Sequence, residues 1–282
     1  MQPLSIQKID LLTFLERKYP ESSKSTLKKW IKAKRVHVNG EMIEDQQALI
    51  SENAEVSLGA KKEFCHYDLQ ILYEDQDVVV IYKPTGLLSV ATDNEVFRTA
   101  HDYLKRRSPN RRVFPVHRLD KDTSGVMVFA YTQDAKTHLK DQFEKHTIHR
   151  EYRAIVSGHF EEKSGKWESF LVEDSNFRMH ESKQQEGAKL AITFYEVLQE
   201  TRRLSLVKFI LKTGKKNQIR VQAAQRGHPV LGDSKYGPEN DTFPRLALHA
   251  MVLEFVHPKK NKKLSFSYPI PKELAKLFAS KS

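Results

Sequence analysis

Residues 117–125 read HRLDKDTSG and lie between two apolar runs, VFPV at 113–116 and VMVFAY at 126–131. Apolar runs of this kind predict buried strands. A connection between strands uses Gly, Asp or Ser, but it needs neither a His, nor two cations, nor a second Asp. The segment therefore holds more reactive side chains than a turn requires, which makes it a candidate functional site.

The composition indicates a folded protein with a polyanionic partner. Of the 282 residues, 39% are hydrophobic and 10% aromatic, enough for a core in one large domain or in a large and a small one. The formal net charge is +11. Such an excess of cations favours nucleic acid as the partner first and an anionic membrane second, although an ordinary basic enzyme can carry it too.

Cysteine use and hydropathy predict the compartment. Cys65 is the only cysteine of the sequence, which excludes an intrachain disulfide and a Cys-rich zinc site and fits a reducing environment. The first twenty residues have no sustained apolar core of the signal-peptide kind, and no run approaches the roughly 18 apolar residues of a membrane helix. We therefore expect a cytoplasmic protein that is not bound in a membrane.

The N-terminal segment predicts a small separate domain. Stretches of helical period at 9–19 and 21–35 precede a hairpin signal, Asn-Gly at 39–40, and a short strand at 54–58. This arrangement resembles the alpha-L RNA-binding motif, and the resemblance implies that residues 1–60 bind RNA. The alternative is a solvated basic helix on a generic domain. The cations that would contact RNA are Lys24, Lys28, Lys29, Lys32, Lys34 and Arg35.

A larger domain follows. Charge and a break in periodicity predict a linker at 61–68, and strand signals dominate residues 69–282. Because the strands often follow one another with no helix between them, we expect an α+β domain with a mixed, largely antiparallel sheet. Helical periodicity is present near residues 99–105, 133–144, 218–226 and 273–279.

Three further basic clusters support a nucleic-acid partner. Five cations lie within residues 105–112, eight within 202–226, where no acid occurs, and four within 259–263. One such run is usually a solvated face, but runs in both predicted domains favour a long electrostatic footprint on a phosphate backbone. Membrane attachment is disfavoured because no amphipathic helix with exposed large apolar residues accompanies the charges.

Residues 117–125 allow several chemical interpretations. Asp120 and Asp122 could be the paired carboxylates of a glycosidase, but such pairs normally come from different strands. Ser124 lacks the GxSxG elbow of a serine hydrolase. A metal site formed by His117 and Asp120 with a distant histidine has no supporting ligand spacing. None of these interpretations accounts for the whole segment.

Four motifs together resemble one family. HRLD-x-x-TSG at 117–125, VVVIYKPTGLLSV at 78–90, REYRAIVSG at 150–158 and LKTGKKNQIRVQAAQRGHPVLGDSKYG at 211–237 are similar in order and spacing to motifs of the pseudouridine synthases that include the A-, C- and D-type large-subunit ribosomal enzymes. The resemblance extends from about residue 70 to residue 271. It implies a pseudouridine synthase fold, α+β with a mixed, largely antiparallel sheet, next to the small alpha-L RNA-binding domain.

The resemblance also implies the site residues. Asp120 takes the place of the family's indispensable aspartate and would act as nucleophile or base, attacking the ribose or the ring or removing a ribose proton. Arg220 would keep this carboxylate charged, and Tyr152 would stack on the uracil and handle a proton on product release. The isomerisation needs no cofactor and no metal. Further substrate-binding residues would be Lys83, His117, Arg118, Leu119 and Ile219.

The sequence departs from the family pattern at three positions. Where the family commonly has Asn before Lys-Pro and Arg-x-His before Gln-Ile-Arg, this chain has Tyr82, Lys215 and Asn217. We expect none of these three residues to touch the catalytic groups. These three positions would then affect which RNA is bound and leave catalysis unchanged.

The remaining expectations concern the substrate and its alternatives. Large-subunit ribosomal RNA is the expected substrate and transfer RNA the alternative, and a monomer is expected because so large a substrate imposes no symmetry. A non-catalytic RNA-binding assembly factor on the same scaffold would lack Asp120 or Arg220, and both are present. A nucleoside or glycoside hydrolase would need a second carboxylate across the pocket, for which the sequence offers no candidate.

Overall fold

The computed structural model describes residues 8–32, 35–59, 69–92, 95, 97–183 and 186–278. The chain divides into two compact units: the first unit comprises residues 1–66 and 91–99, and the second unit residues 67–90 and 100–282. Lys34 and the linker predicted at 61–68 lie outside the described residues. Within the ranges given above, no helix is both long and apolar enough to cross a membrane.

The described part of the first unit combines two helices with short strands. Its elements in chain order are β1 (Lys8–Asp10), α1 (Leu11–Lys18), α2 (Lys24–Lys32), β2 (Val36–Val38), β3 (Glu41–Met42), β4 (Leu49–Ser51) and β5 (Val56–Leu58). Strands β3, β2 and β5 form one sheet, and β1 pairs with β4. Asn39 and Gly40 both have a positive φ, 51° and 86°, which the two-residue turn between β2 and β3 requires. The predicted hairpin is therefore present, whereas β1 and β4 were not predicted.

The second unit is built around one sheet. Its strands are β6 (Gln70–Glu74), β7 (Val78–Lys83), β8 (Phe114–Pro115), β9 (Ser124–Ala130), β10 (His149–Ser157), β11 (Ser164–Glu173), β12 (Met179–Ser182), β13 (Lys189–Glu200), β14 (Leu204–Leu211), β15 (Leu248–Val256) and β16 (Lys263–Ser267). Its helices are α3 (Ala100–Arg107), α4 (Gln133–Glu144), α5 (Gln218–Gln225) and α6 (Lys272–Ala275).

The order of the strands is β12-β11-β13-β14-β10-β15-β9-β7-β6, with β16 beside β15 and β8 beside β9. Only the pair of β9 and β15 runs parallel among the described strands of this sheet. The sheet is therefore mixed and largely antiparallel, as the sequence predicted.

Strands β7 and β9 are buried on both faces of the sheet. Because successive side chains of a strand point to opposite sides, Val79 and Met127 belong to one hydrophobic cluster, which includes residues of α3 and α5, while Val80 and Val128 belong to another, which includes residues of α4. Helices thus cover both faces of the sheet at this point. This explains why the two strands read as continuous apolar runs and not as alternating patterns.

The parallel pairing of β9 with β15 sets the position of the segment before β9. Gly125 lies opposite Ala250 of β15, and Ala250 lies opposite Tyr152 of β10. A β-bulge between Glu151 and Tyr152 interrupts the pairing of β10 with β15. Such a bulge changes the direction in which a side chain points. The row of three residues across three strands therefore places the loop before β9 next to Tyr152.

The sequence predicted the buried strands better than the half-exposed ones. Strand runs predicted at 69–74, 77–83, 113–117, 126–131, 150–158, 191–198, 203–211 and 246–256 are confirmed as β6, β7, β8, β9, β10, β13, β14 and β15, and the basic stretch at 259–263 predicts the hairpin tip that joins β15 to β16. Strands β11 and β12 were missed, since one side of each is largely exposed and carries polar residues. Residues 117–123 form a loop and not a strand, so strand alternation does not place Asp120 and Asp122 on one side.

Replacement of Gly125 by Ala tests the close approach of β9 to β15. A Cβ atom at this position would lie 2.2 Å from the carbonyl oxygen of Ala250, and the φ of Gly125 is +132°. We expect Gly125→Ala to lower the free energy of unfolding by about 3 kcal/mol or more, because the backbone of β15 has to move. Urea denaturation measures the loss.

Gly86→Ala is the matched control. Gly86 also has a positive φ, +77°, but no atom lies within 4 Å of the position of its Cβ. This variant should lose only about 1 kcal/mol, the cost of the backbone conformation alone. Equal losses in the two variants would contradict the steric explanation.

Candidate active site

The loop that carries Asp120 is held by side chains from the turn after β7. The Ser89 hydroxyl accepts a hydrogen bond from the Leu119 N–H at 3.0 Å and donates to the Leu119 carbonyl at 2.8 Å. Thr85 Oγ1 donates to the carbonyl of Asp122 at 2.7 Å. The main chain on both sides of Asp120 is therefore fixed by another segment of the chain.

Lys83 supports the same loop from the interior. Its side chain is completely buried, and its ammonium donates to the carbonyls of Pro84, Leu87 and Lys121 at 2.9, 2.7 and 3.0 Å. Burial lowers the pKa of Lys83 to about 7, against the opposing effect of two nearby carboxylates. All three donors of the ammonium are used by main-chain carbonyls, two in the turn after β7 and one in the loop of Asp120. The structure thus corrects the expectation that Lys83 contacts substrate.

The carboxylate of Asp120 has unequal oxygens. Arg220 Nη1 lies 3.2 Å from Oδ2, and Asn217 Nδ2 donates to the same oxygen at 2.5 Å. No hydrogen bond to Oδ1 comes from the described residues. The side chain of Asp120 is 25% exposed. One oxygen of the carboxylate is therefore held, and the other is free to meet a ligand.

Arg220 is a buried cation that binds two carboxylates. Its Nε and Nη2 donate to Oδ2 and Oδ1 of Asp233, both at 2.7 Å, and its Nη1 faces Asp120. Burial disfavours the charge of Arg220, but the hydrogen bonds and charge of Asp233, and then those of Asp120, outweigh burial and raise its pKa. Arg220 therefore stays charged, and Asp233 fixes its orientation.

Asn217 touches Asp120, contrary to the expectation from the sequence. It precedes α5 with φ 52° and ψ 22°, a left-handed conformation that Asn tolerates better than most residues. The Tyr236 hydroxyl accepts from the Met179 N–H at 3.0 Å and lies 3.2 Å from Asn217 Oδ1. The hydroxyl proton is thus directed to Asn217, whose carbonyl must face Tyr236 while its amide faces Asp120.

A buried network anchors helix α5 behind Arg220. Gln218 accepts from the Thr213 hydroxyl at 2.8 Å and donates to Thr193 Oγ1 at 2.8 Å. The Thr193 hydroxyl in turn donates to Gln222 at 2.6 Å. Both glutamines are almost completely buried. Since each buried polar group has partners, the helix that carries Arg220 is fixed against β13.

Apolar side chains line the pocket beside Asp120. Leu119, Tyr152 and Ile219 are buried and line it together with Asp120, while Arg118 lines it and is exposed. Burial raises the pKa of Tyr152, so its hydroxyl stays protonated at neutral pH. The structure brings these residues together as the sequence predicted. Its charged groups and its flat apolar surfaces can hold a neutral ring next to an ionised carboxylate.

His117 faces away from this pocket. Its Nε2 accepts a hydrogen bond from the Val128 N–H at 3.1 Å, and its ring stacks on Phe143 with a centroid distance of 4.6 Å. Burial, and then the charge of Arg150, lower the pKa of His117 to about 3. The expectation that His117 contacts phosphate or base is therefore corrected: the imidazole is a neutral part of the core.

The basic helix α2 presents its cations to solvent. Lys28, Lys29 and Lys32 are exposed, and Lys24 is exposed but forms an ion pair of 3.0 Å with Glu16. Arg35 instead turns inward. Its Nε donates to the Gly59 carbonyl at 3.1 Å, and its guanidinium lies over Trp30 at 5.8 Å. The lysines of α2 are thus placed for phosphate contacts, whereas Arg35 also supports the fold of the first unit.

The basic cluster at 105–112 has fewer cations available for RNA phosphates than its sequence indicates. Arg107 and Arg111 both pair with Glu74, at 2.8 and 3.9 Å, and the guanidinium of Arg111 lies over the ring of Tyr131 at 4.9 Å. Glu74 and Tyr131 lie outside this run in the sequence, so the run alone did not predict these pairs. Part of the predicted electrostatic footprint is therefore neutralised within the protein.

The fold and the site together define an α+β protein with a carboxylate, Asp120, in a pocket on a mixed sheet. Residues 77–225 match the family described as RNA pseudouridylate synthase, and residues 11–56 match the S4 domain. The chain therefore belongs to the RNA pseudouridylate synthase family, whose members isomerise uridine in RNA to pseudouridine. The S4 match covers the segment predicted to be the alpha-L RNA-binding motif.

Individual proteins similar to this chain are also described as pseudouridine synthases. Ribosomal large subunit pseudouridine synthase D of Pasteurella multocida (strain Pm70) is 32% identical over 283 residues, which cover 92% of this chain and 87% of that protein. The protein of the same description from Xylella fastidiosa (strain Temecula1) is 34% identical over 93% of this chain and 86% of its own. The solved structure of Human RNA Pseudouridylate Synthase Domain Containing 4 has a TM-score of 0.61 and 26% identity, over 73% of this chain and 90% of that one.

The desolvated, neutral imidazole of His117 predicts a specific loss of stability in acid. Its pKa is about 3 in the folded protein and about 6.5 in the unfolded chain, so between these values the unfolded state binds the extra proton. The contribution of neutral His117 to the free energy of unfolding is fully present above pH 6.5 and is lost as the pH falls below that value. His117 should account for about 2 kcal/mol of the loss between pH 7 and pH 5.

Urea denaturation of wild type and His117→Gln at both pH values measures this contribution. Gln can still accept from the Val128 N–H but takes up no proton, and the other histidines contribute equally to both proteins. The variant should therefore lose about 2 kcal/mol less than wild type between pH 7 and pH 5. The same loss in both proteins would show that the imidazole charges in the folded state.

Proposed function

We propose that this enzyme isomerises uridines of large-subunit ribosomal RNA with Oδ1 of Asp120 as the reacting atom. The observation that carries the proposal is that the two oxygens of the Asp120 carboxylate differ in their contacts. Arg220 and Asn217 both bind Oδ2, and Oδ1 receives no hydrogen bond from the described residues. An ionised carboxylate with one oxygen held and one free can act as nucleophile or base.

The reaction requires no external reagent. The bond between C1′ of the ribose and N1 of the uracil breaks, and a bond between C1′ and C5 forms after the ring has turned. C5 releases its hydrogen as a proton and N1 gains a proton, so that substrate and product are isomers. Attack of Oδ1 on C1′ or on the ring, or removal of a ribose proton, would each need the same free and charged oxygen.

The residues around Asp120 have distinct roles in this proposal. Arg220, fixed by Asp233, binds Oδ2 of the carboxylate and orients it. Tyr152 offers a flat face to the uracil and a protonated hydroxyl that can donate a hydrogen bond or a proton during product release. Leu119 and Ile219, both buried, form apolar walls that exclude water.

The target uridine has to leave its helix or loop to reach Asp120. Arg118, exposed beside the pocket, is placed to occupy the space that the extruded base leaves. The exposed lysines of α2 add contacts to phosphates. Both features favour a structured RNA over a free nucleoside.

The relatives named for the large ribosomal subunit support ribosomal RNA as the substrate. We further propose a cytoplasmic monomer in which residues 1–60 form the RNA-binding domain, residues 61–68 a linker and residues 69–282 the catalytic domain. The S4 match at 11–56 and the synthase match at 77–225 fall within the two proposed domains.

The first test measures tritium release from RNA labelled at C5 of uracil, with total cellular RNA as substrate. Wild type should release tritium, because C5 loses its hydrogen when the new bond forms. Asp120→Asn should release none, since the amide is neither nucleophile nor base. Fractionation of the RNA should then place the signal in large-subunit ribosomal RNA.

Asp122→Asn is the matched control for this experiment. Asp122 lies in the same loop but does not line the pocket, so that its variant should retain activity. Tritium release from transfer RNA alone would reassign the substrate. Salt-sensitive RNA binding without release from any fraction would indicate an assembly factor instead.

Asn217 provides a second test, as a positioning residue. Asn217→Ala removes a hydrogen bond to a charged group, worth roughly 1.5–3 kcal/mol, so kcat should fall about tenfold or more while KM stays constant. Asn217→His, which restores the residue common in the family, should recover much of kcat. A rise in KM without a loss of kcat would contradict the proposed role.

A further inference from the structure

The hairpin between β11 and β12 contains an unusual residue at its tip. The N–H of Asp174 donates to the carbonyl of Arg178 at 2.9 Å, and the N–H of Phe177 donates to the carbonyl of Asp174 at 3.0 Å. Phe177 has a φ of +57°. Three-residue hairpin loops of this kind place a left-handed residue at this position, and Gly is the usual choice because it has no Cβ.

Phe177 is unfavourable for the stability of this hairpin. A bulky residue at positive φ is a backbone outlier, and the side chain of Phe177 gains little from packing because the residue is 72% exposed. A residue that combines backbone strain with an exposed aromatic ring is better explained by binding than by folding.

Cations contact the hairpin tip that carries this ring. Lys216 and Lys235 both donate to the carbonyl of Phe177, at 3.1 and 2.7 Å, and the Lys216 ammonium lies 5.7 Å from the ring centroid. The adjacent Arg178 is exposed and lies over the ring of Tyr236 at 5.2 Å. Glu173 offsets one of these charges through its ion pair with Lys216. One cation, Lys216, therefore faces the exposed ring, and two more, Lys235 and Arg178, lie at the same hairpin tip.

The pKa of Lys235 reflects this crowding. Burial lowers its pKa, and the like charges of Lys216, Arg220 and Arg178 lower it further. The group therefore contains more positive charge than its acids neutralise. A bound phosphate would relieve the repulsion among these cations.

A series of contacts connects Phe177 with Asp120, the proposed catalytic carboxylate. Lys216 binds the carbonyl of Phe177, and the next residue, Asn217, donates to Asp120. A second connection runs from Met179, two residues after Phe177, through the Tyr236 hydroxyl to Asn217. The hairpin tip and the pocket at Asp120 thus share the segment 216–217.

We propose that Phe177, with Lys216, Lys235 and Arg178, forms a nucleobase platform on which a base flanking the target uridine stacks. An aromatic face accepts any base, and the cations around it match the phosphates on either side of that base. The platform would hold the strand next to the extruded nucleotide and keep the RNA in register with the pocket. This inference rests on the proposed function, because it identifies the site for a neighbour of the same target nucleotide.

Phe177→Gly separates binding from stability. Gly suits the left-handed conformation, so the melting temperature of the variant should equal or exceed that of wild type. Loss of a stacked base should weaken RNA binding about tenfold, measured by anisotropy with fluorescein-labelled large-subunit ribosomal RNA fragments, and raise KM for tritium release by a similar factor at unchanged kcat. Phe177→Tyr, which keeps the ring, should behave as wild type.

Phe177→Trp reports directly on the contact. The fluorescence of the new indole should fall when a twelve-residue oligouridylate or ribosomal RNA binds, and inorganic polyphosphate, which has charge but no bases, should leave it unchanged. Quenching by polyphosphate as well, or an unchanged KM and affinity in Phe177→Gly, would overturn the platform. Absence of any quenching by RNA would do the same and leave a protein partner as the explanation of the exposed ring.

The outcomes distinguish this inference from the proposed function. If wild type releases tritium and Phe177→Gly is indistinguishable from it, the proposed function is supported and the platform is contradicted. If wild type releases no tritium from any RNA, the proposed function fails. The fluorescence and anisotropy experiments still decide the platform in that case, because they measure binding without turnover.

Discussion

The buried charge of Arg220 is the constraint on which the active site depends. A guanidinium that is 7% exposed is stable only where anionic partners replace its water, and Asp233 does this with both oxygens. The remaining nitrogen, Nη1, is left for Asp120. Two carboxylates on one cation thus acquire different functions through geometry alone. The one whose oxygens are both engaged orients the arginine, and the one held by a single oxygen keeps the other for chemistry.

The fold holds both ends of this ion pair with buried hydrogen bonds. On one side, the Lys83 ammonium and the Ser89 hydroxyl fix the main chain around Asp120. On the other side, Gln218 and its partners fix helix α5. Asp120 and Arg220 are 100 residues apart in the sequence, so only this double anchoring determines the distance between them. Preorganisation of this kind avoids the cost of ordering the charges when the substrate arrives.

The sequence revealed the parts of the molecule whose signals are local. The apolar runs of β7 and β9 predicted buried strands, and the contiguous motif around Asp120 predicted a carboxylate that the fold places in a pocket. Lys83 was misjudged because its burial depends on carbonyls that converge only in the folded chain. Asn217 was misjudged because its contact with Asp120 depends on a left-handed backbone and on the Tyr236 hydroxyl. Spacing in the sequence carries no information on either arrangement.

Charge is distributed so that chemistry and RNA binding are separated. The group centred on Arg220 sets one cation against two carboxylates, and Lys215 lines the same pocket, so the charges beside Asp120 nearly cancel. Such a pocket suits a neutral uracil better than a phosphate. The exposed cations, by contrast, lie around this group at Arg118 and Lys216 and attract the backbone of the RNA. Under the proposed function, the base enters the pocket at Asp120 while its phosphates bind outside it, as an enzyme that acts on one extruded nucleotide of a polyanion requires.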